Sequence, residues 1–254
     1  MAWFEGFEAR RFPVNGVEIF ARIGGTPGKP PLLLLHGFPQ THVLWHRVAR
    51  QLAADYTLVL PDLRGYGDSS RPPGLPDHAN YSKREMARDM VGVMQSLGHE
   101  RFYACGHDRG GRVAHRLAVD HPERVERLCV IDIAPTLDMY AATDMAFARG
   151  YYHWFHLIQS SPLPETMIGG NPRAYLHTKL GGWGSGGSPL MVGRSRMYPL
   201  PSSCRMVKST PGTSRFAFAS ARLAVISDMC VETWMGAALW FSLTILSHAF
   251  LSAS

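Results

Sequence analysis

Phe102-Tyr103-Ala104-Cys105-Gly106-His107-Asp108-Arg109-Gly110-Gly111-Arg112 is the stretch on which the fold turns. An apolar run enters a bend where one reactive side chain, Asp108, stands among glycines, and a helical pattern leaves it at 110–120. Small neighbours permit a sharp strand-to-helix turn in a strained conformation. Such a turn presents its central side chain at the C-terminal edge of a sheet, beside a helix N-terminus. A carboxylate there needs no deprotonation at neutral pH, and the positive helix end favours its charged form. It can attack an sp³ carbon that carries a leaving group and form an ester. The other reading of Asp108 is a plain N-cap, a position for which Asp is well suited.

The surrounding chain repeats strand and helix with short connections. Upstream, Asn15-Gly16 interrupts a loosely alternating stretch and signals a hairpin. Leu32-Leu33-Leu34-Leu35 is short, wholly apolar and preceded by Pro30-Pro31, which fits a strand buried on both faces. A helix is expected over 41–53, a strand over 56–61, and a helix over 82–97 with Ser82 and Glu85 as a capping box. Strands are expected at 101–105 and 128–133. This rhythm implies an α/β fold with a mostly parallel sheet and helices on both faces. From 136 the chain becomes helical and aromatic (Tyr140, Phe147, Tyr151, Tyr152, Trp154, Phe155), as a partial helical cap would.

Two further residues fall at the same expected sheet edge. Phe38, in His36-Gly37-Phe38-Pro39, follows an early strand, so its N–H and that of Arg109 could converge as an oxyanion site. Asp132 ends a strand and is placed for a triad, although capping the next turn is the bland alternative. His36 suits a structural bridge between loops.

The motifs HGFPQTHVLWHRVA (36–49), DLRGYGDSSRP (62–72), GHDRGGRVAHRLA (106–118), DIAPT (132–136) and YYHWFHL (151–157) together resemble the α/β-hydrolase superfamily, specifically its haloacetate (fluoroacetate) dehalogenases. The resemblance covers about residues 12–186. It implies Asp108 as the nucleophile, Arg109 and Arg112 as the holders of a substrate carboxylate, and His153 and Trp154 as the halide pocket. It further implies Asp132 as the acid that orients a catalytic histidine and Phe38 as the oxyanion-side residue. Two guanidiniums beside an elbow suit a carboxylate clamp that lysines would reproduce poorly. Epoxide hydrolases share HGFP and the Asp elbow but usually carry Trp after the nucleophile, where Arg109 stands here. No metal or organic cofactor is implied. The expected partner is a small 2-haloacid, with neither nucleic acid nor membrane, and a homodimer is the candidate assembly.

The pattern departs from the family near residue 187. Of 20 Asp and Glu, only Asp228 and Glu232 lie beyond it, and periodicity fades. The segments expected are therefore a core at 1–135, a partial cap at 136–186 and a divergent tail at 187–254, frameshifted, spliced or disordered, with the late strands missing. Beyond residue 177 the sole histidine is His248, the candidate for the base that would cleave the ester. Two rival readings stand beside an impaired dehalogenase: an epoxide hydrolase, and a non-catalytic product of an α/β-hydrolase gene. The apolar segment 234–250 is short for a membrane span and is interrupted by hydroxyls. The net charge of +6 forms no basic stripe in residues 1–186, which argues against nucleic acid. Cys105 and Cys129 lie in apolar runs and are expected to be reduced. The N-terminus lacks the basic and apolar pattern of a signal peptide, so a cytoplasmic location is expected.

Overall fold

A computed structural model describes residues 3–134, 136–181 and the pair 222–223. Backbone contacts divide the chain after Ile133, and the two parts are described in turn.

The first part is a twisted sheet with helices. β1 (Glu8–Val14) and β2 (Val17–Gly25) form an antiparallel hairpin. Its turn uses Asn15 and Gly16, both at positive φ (47° and 73°), the left-handed pair that a two-residue hairpin requires. β3 (Pro31–Leu35) leads through a 3₁₀ turn (His42–Trp45) into α1 (His46–Leu52), followed by β4 (Thr57–Pro61). The single helix expected over 41–53 is thus two elements. Thr41 caps the 3₁₀ turn, and α1 continues from His46. Next come α2 (Lys83–Ser96), β5 (Phe102–His107), α3 (Arg109–Asp120) and β6 (Val125–Ile131). The strand order is β1-β2-β4-β3-β5-β6-β7, where β7 is the pair Arg222–Leu223. The ladders β4/β3, β3/β5, β5/β6 and β6/β7 are parallel, and the β1 and β2 ladders are antiparallel.

The parallel core reads as the sequence implies. All four leucines of β3 are fully buried. Leu33 and Leu35 join a cluster with Met86, Met90, Val93 and Met94 of α2 and Val113, Ala114 and Leu117 of α3. Leu32 and Leu34 point to the opposite face, as strand alternation demands. Each buried leucine contributes roughly 2 kcal/mol by area removed from water. Ser82 caps α2 by accepting the Glu85 N–H. The reciprocal half of the capping box is not made, because the Glu85 carboxylate bonds Asn15 and Arg88 instead. β6 starts earlier than expected because Glu126 and Arg127 obscure its apolar pattern. Arg127 lies opposite Tyr103 in the ladder and stacks over its ring at 5.3 Å. Cys105 and Cys129 are cross-strand neighbours, buried and reduced.

The second part contains α4 (Thr136–Ala141), α5 (Met145–Gly150), α6 (Tyr152–His156), α7 (Leu163–Gly170) and α8 (Pro172–Gly181). Trp154 packs against Tyr140 and edge-on to Phe147, with centroids 5.5 and 5.6 Å away, so the aromatic run forms a local cluster. Among the described residues no helix is long and apolar enough to cross a membrane. The expectations for 187–254, including His248 and the apolar segment 234–250, lie outside the described residues apart from the β7 pair.

Candidate active site

Asp108 sits between β5 and α3 at φ 49°, ψ −117°, a region that a non-glycine residue enters only under constraint. Its neighbours explain how it is held there. A Cβ on Gly106 would lie 2.2 Å from the Gly110 carbonyl oxygen, and one on Gly110 would lie 2.3 Å from that of Leu35. The elbow therefore closes onto backbone, and only glycine fits. The Asp108 N–H donates to the Ile131 carbonyl at 3.0 Å, and the Arg112 N–H donates to the Asp108 carbonyl at 3.2 Å, tying the bend to β6 and to the first turn of α3.

The carboxylate does not act as a plain N-cap. Asp108 occupies the N-cap position of α3, yet its side chain makes no capping hydrogen bond. Its Oδ2 instead accepts the Phe38 N–H at 2.9 Å. Phe38, expected to offer its N–H at this sheet edge, thus donates it to Asp108 itself.

Around this carboxylate the charge is positive. Arg109 and Arg112 are three residues apart in the first turn of α3 and so share a face. The Arg109 guanidinium stacks over the Phe38 ring at 5.2 Å. Tyr66, half-buried, lies beside it: burial pushes the phenol up, and a hydrogen bond with Arg109 opposes the shift. Lys83, the first residue of α2, belongs to the same cluster. Its ammonium is pulled down to about 8 by burial first and then by Arg109 and Arg112, with Asp108 opposing. Nothing in the sequence around Lys83, the residue after the Ser82 cap, signals this placement.

The loops beneath are fixed by buried polar groups. His36 bridges them as expected. Its Nδ1–H donates to the Gly37 carbonyl at 2.9 Å, and its Nε2 accepts the Leu63 N–H at 3.0 Å. Burial lowers the His36 pKa, outweighing the nearby Asp62. Asp62 gathers the Gly-rich loop by accepting the N–H groups of His42 (2.6 Å) and Asp68 (2.9 Å). Arg64 makes two bonds to buried Asp89, at 2.7 and 2.5 Å, and one to the Asn80 carbonyl at 2.6 Å, which joins that loop to α2.

Asp132 follows β6 at φ 52°, one residue past the strand rather than within it. Its Oδ2 lies 3.8 Å from Nε2 of His107, whose Nδ1 faces the Gln40 amide oxygen at 3.1 Å. Asp108 and Asp132 thus emerge from adjacent strands at the same sheet edge, as the sequence implies. In the second part, His153 is buried, and its Nδ1 lies 3.1 Å from the Lys179 ammonium. Trp154 stands in the aromatic cluster described above. Among the described residues no group of three or more His, Cys, Asp or Glu side chains could hold a metal ion.

A mostly parallel sheet with a glycine-walled elbow at its carboxyl edge defines an α/β hydrolase. Residues 30–207 match the alpha/beta hydrolase fold family, and the chain belongs to it. More particularly, it is 52% identical over 185 residues to a fluoroacetate dehalogenase of Burkholderia sp, covering 73% of this chain and 60% of that protein. A soluble epoxide hydrolase of Corynebacterium sp. (strain C12) is 42% identical over 107 residues, 42% of this chain and 36% of the relative. The crystal structure of ALR0039 from Nostoc sp PCC 7120 is 56% identical with a TM-score of 0.69, covering 72% of this chain and 62% of that one. The chain therefore spans about three-fifths of the length of the dehalogenase it matches.

Proposed function

We propose that this hydrolase displaces halide from a short 2-haloacid through an ester on Asp108. The observation that carries the reading is the Asp108 carboxylate itself, held at a strained elbow, not spent on capping, and fixed through Oδ2 by the Phe38 N–H. Oδ1 is then the attacking oxygen. It bonds to C2 of the haloacid while the carbon–halogen bond breaks and its electron pair leaves with the halide. Arg109 and Arg112 hold the substrate carboxylate, which orients C2 for in-line attack and reduces the entropic barrier. In the second half-reaction water adds to the Asp108 carboxyl carbon, the Phe38 N–H stabilises the oxyanion, and the bond from that carbon to the alkoxy oxygen then breaks; one water proton goes to the leaving 2-hydroxyacid and the other, taken by a base, reaches solvent as the carboxylate is restored. Asp132 is in this proposal the acid that orients a catalytic histidine, and the resemblance to the dehalogenases is what implies His153 and Trp154 as halide-binding residues. Similarity to a fluoroacetate dehalogenase supports the substrate class, and Arg109 directly after the nucleophile favours an anionic substrate over a neutral epoxide.

Beyond residue 177 the sequence offers one histidine, His248, as the base for the second half-reaction, within the tail that departs from the family pattern, and we propose on that ground that ester formation outruns its cleavage. Ion chromatography of halide released from chloroacetate tests both points. One halide per chain marks an ester that persists, and continued release marks turnover. Opening of styrene oxide with no halide release from chloroacetate would favour the epoxide-hydrolase reading, and inertness toward both would favour a non-catalytic product.

A further inference from the structure

We infer that Lys179 is a positioning residue for His153: from α8 it fixes the imidazole of α6 in a single tautomer, so that Nε2–H becomes a donor for an anion. The inference rests on the reading of His153 as a halide-binding group and adds the device that would make it one.

The argument starts from hydrogen-bond inventory. The Lys179 ammonium lies 3.1 Å from His153 Nδ1. An ammonium has only protons to give, so Nδ1 must offer its lone pair. A neutral imidazole carries one ring proton, and with Nδ1 accepting, that proton sits on Nε2. The same ammonium stands 3.8 Å over the centroid of the Tyr152 ring. Consecutive residues of α6 thus meet one cation from α8, which fixes the position of Lys179 as well as that of the ring.

Charge gives the second strand of the argument. Lys179 is only 8% exposed, and lysines are almost never buried without a partner. Among the described residues it meets a ring nitrogen and an aromatic face. No carboxylate among the described residues is within ion-pair distance of it. A buried cation so placed attracts an anion, and polarising the imidazole through Nδ1 strengthens Nε2–H as the donor. Burial also lowers the Lys179 pKa.

Long-range ¹H–¹⁵N correlation spectra of the full chain test this, because the two ring nitrogens of His153 report directly which one carries the proton. The expected result is Nε2–H in the unsubstituted protein, loss of that single tautomer in Lys179→Met, and its recovery in Lys179→Arg, which also donates to Nδ1. Chloride titration followed by the same signals should show roughly tenfold weaker binding in Lys179→Met, the scale of one hydrogen bond to a charged group. A proton on Nδ1 in the unsubstituted protein overturns the inference whether or not any variant folds. An unchanged tautomer or unchanged chloride affinity in a folded Lys179→Met does the same. Adduct formation on Asp108 is measured separately. If tautomer and affinity respond to Lys179 while no adduct forms, the dehalogenase reading falls and the Lys179–His153 pair stands. If the adduct forms and neither responds, the reverse holds.

Discussion

Replacing Gly37 with alanine should separate the geometry of the elbow from the stability of the fold. A Cβ at this position would lie 2.6 Å from Asp108 Cβ, 2.9 Å from Asp108 Oδ2 and 3.0 Å from His107 Nδ1. Relief to an ordinary contact of 3.4 Å requires the Asp108 side chain and the Gly37 backbone to part by about 0.8 Å. The adjoining Phe38 N–H bond to Oδ2 is 2.9 Å long, so a shift of that size removes it. Overpacking of this kind costs about 1–3 kcal/mol of stability, which the fold should survive. A displacement of about 1 Å at a reacting atom lowers the rate by about a hundredfold. The assay is the rate of covalent labelling of Asp108 by chloroacetate, followed by intact mass, with urea unfolding run alongside. Gly28→Ala is the control. Its backbone is left-handed (φ 80°), unlike that of Gly37, so alanine is strained there, but nothing lies within 4 Å of the new Cβ. That variant should lose about 1–2 kcal/mol from backbone strain and keep the full labelling rate. A Gly37→Ala protein that folds and labels at the unsubstituted rate would refute the claim that the Asp108–Phe38 contact sets the attack geometry.

Stability should fall as pH drops below about 6.5. Burial lowers the His36 pKa in the folded state, so the unfolded chain binds the additional proton first, and the stability present above the unfolded pKa is lost on acidification. Thermal unfolding across pH should show this slope, and His36→Gln, which cannot titrate, should flatten it. Lys83 predicts an alkaline limb for Asp108 labelling. With its ammonium pulled down to about 8, the cluster loses positive charge above that pH and captures the haloacid less well. Lys83→Gln should remove the limb, and a limb that persists in that variant would assign it elsewhere. Arg109→Lys should weaken haloacid capture by about 10–100-fold, since a lysine neither forks onto a carboxylate nor stacks on Phe38 as the guanidinium does. The substrate-concentration dependence of labelling measures this, and an unchanged half-saturation would count against the clamp.

The features that could be read from sequence were those in which one residue type has one physical reason. Four successive leucines after two prolines can only be buried on both faces, and glycines at 106, 110 and 111 leave room for backbone where any Cβ would collide. Asn15-Gly16 specified its turn for the same reason. Features that depend on partners distant in sequence were hidden. Glu85 looked like half of a capping box, yet Asn15 and Arg88 claimed its carboxylate. β6 concealed its start because Arg127 faces Tyr103 across the ladder, so a charge appeared where a strand interior was sought. Lys83 and Lys179 carried no local signal at all. One joins the arginines of α3 and the other reaches from α8 to α6, and only the packing of separate elements brings either to its partner.

The most direct test of the central claim is peptide mapping by mass spectrometry after exposure to fluoroacetate, whose carbon–fluorine bond does not alkylate ordinary side chains. The account predicts a carboxymethyl ester on Asp108, released by hydroxylamine and absent from Asp108→Asn. A folded protein that leaves Asp108 unmodified under saturating fluoroacetate and chloroacetate, or one labelled equally in Asp108→Asn, would contradict it.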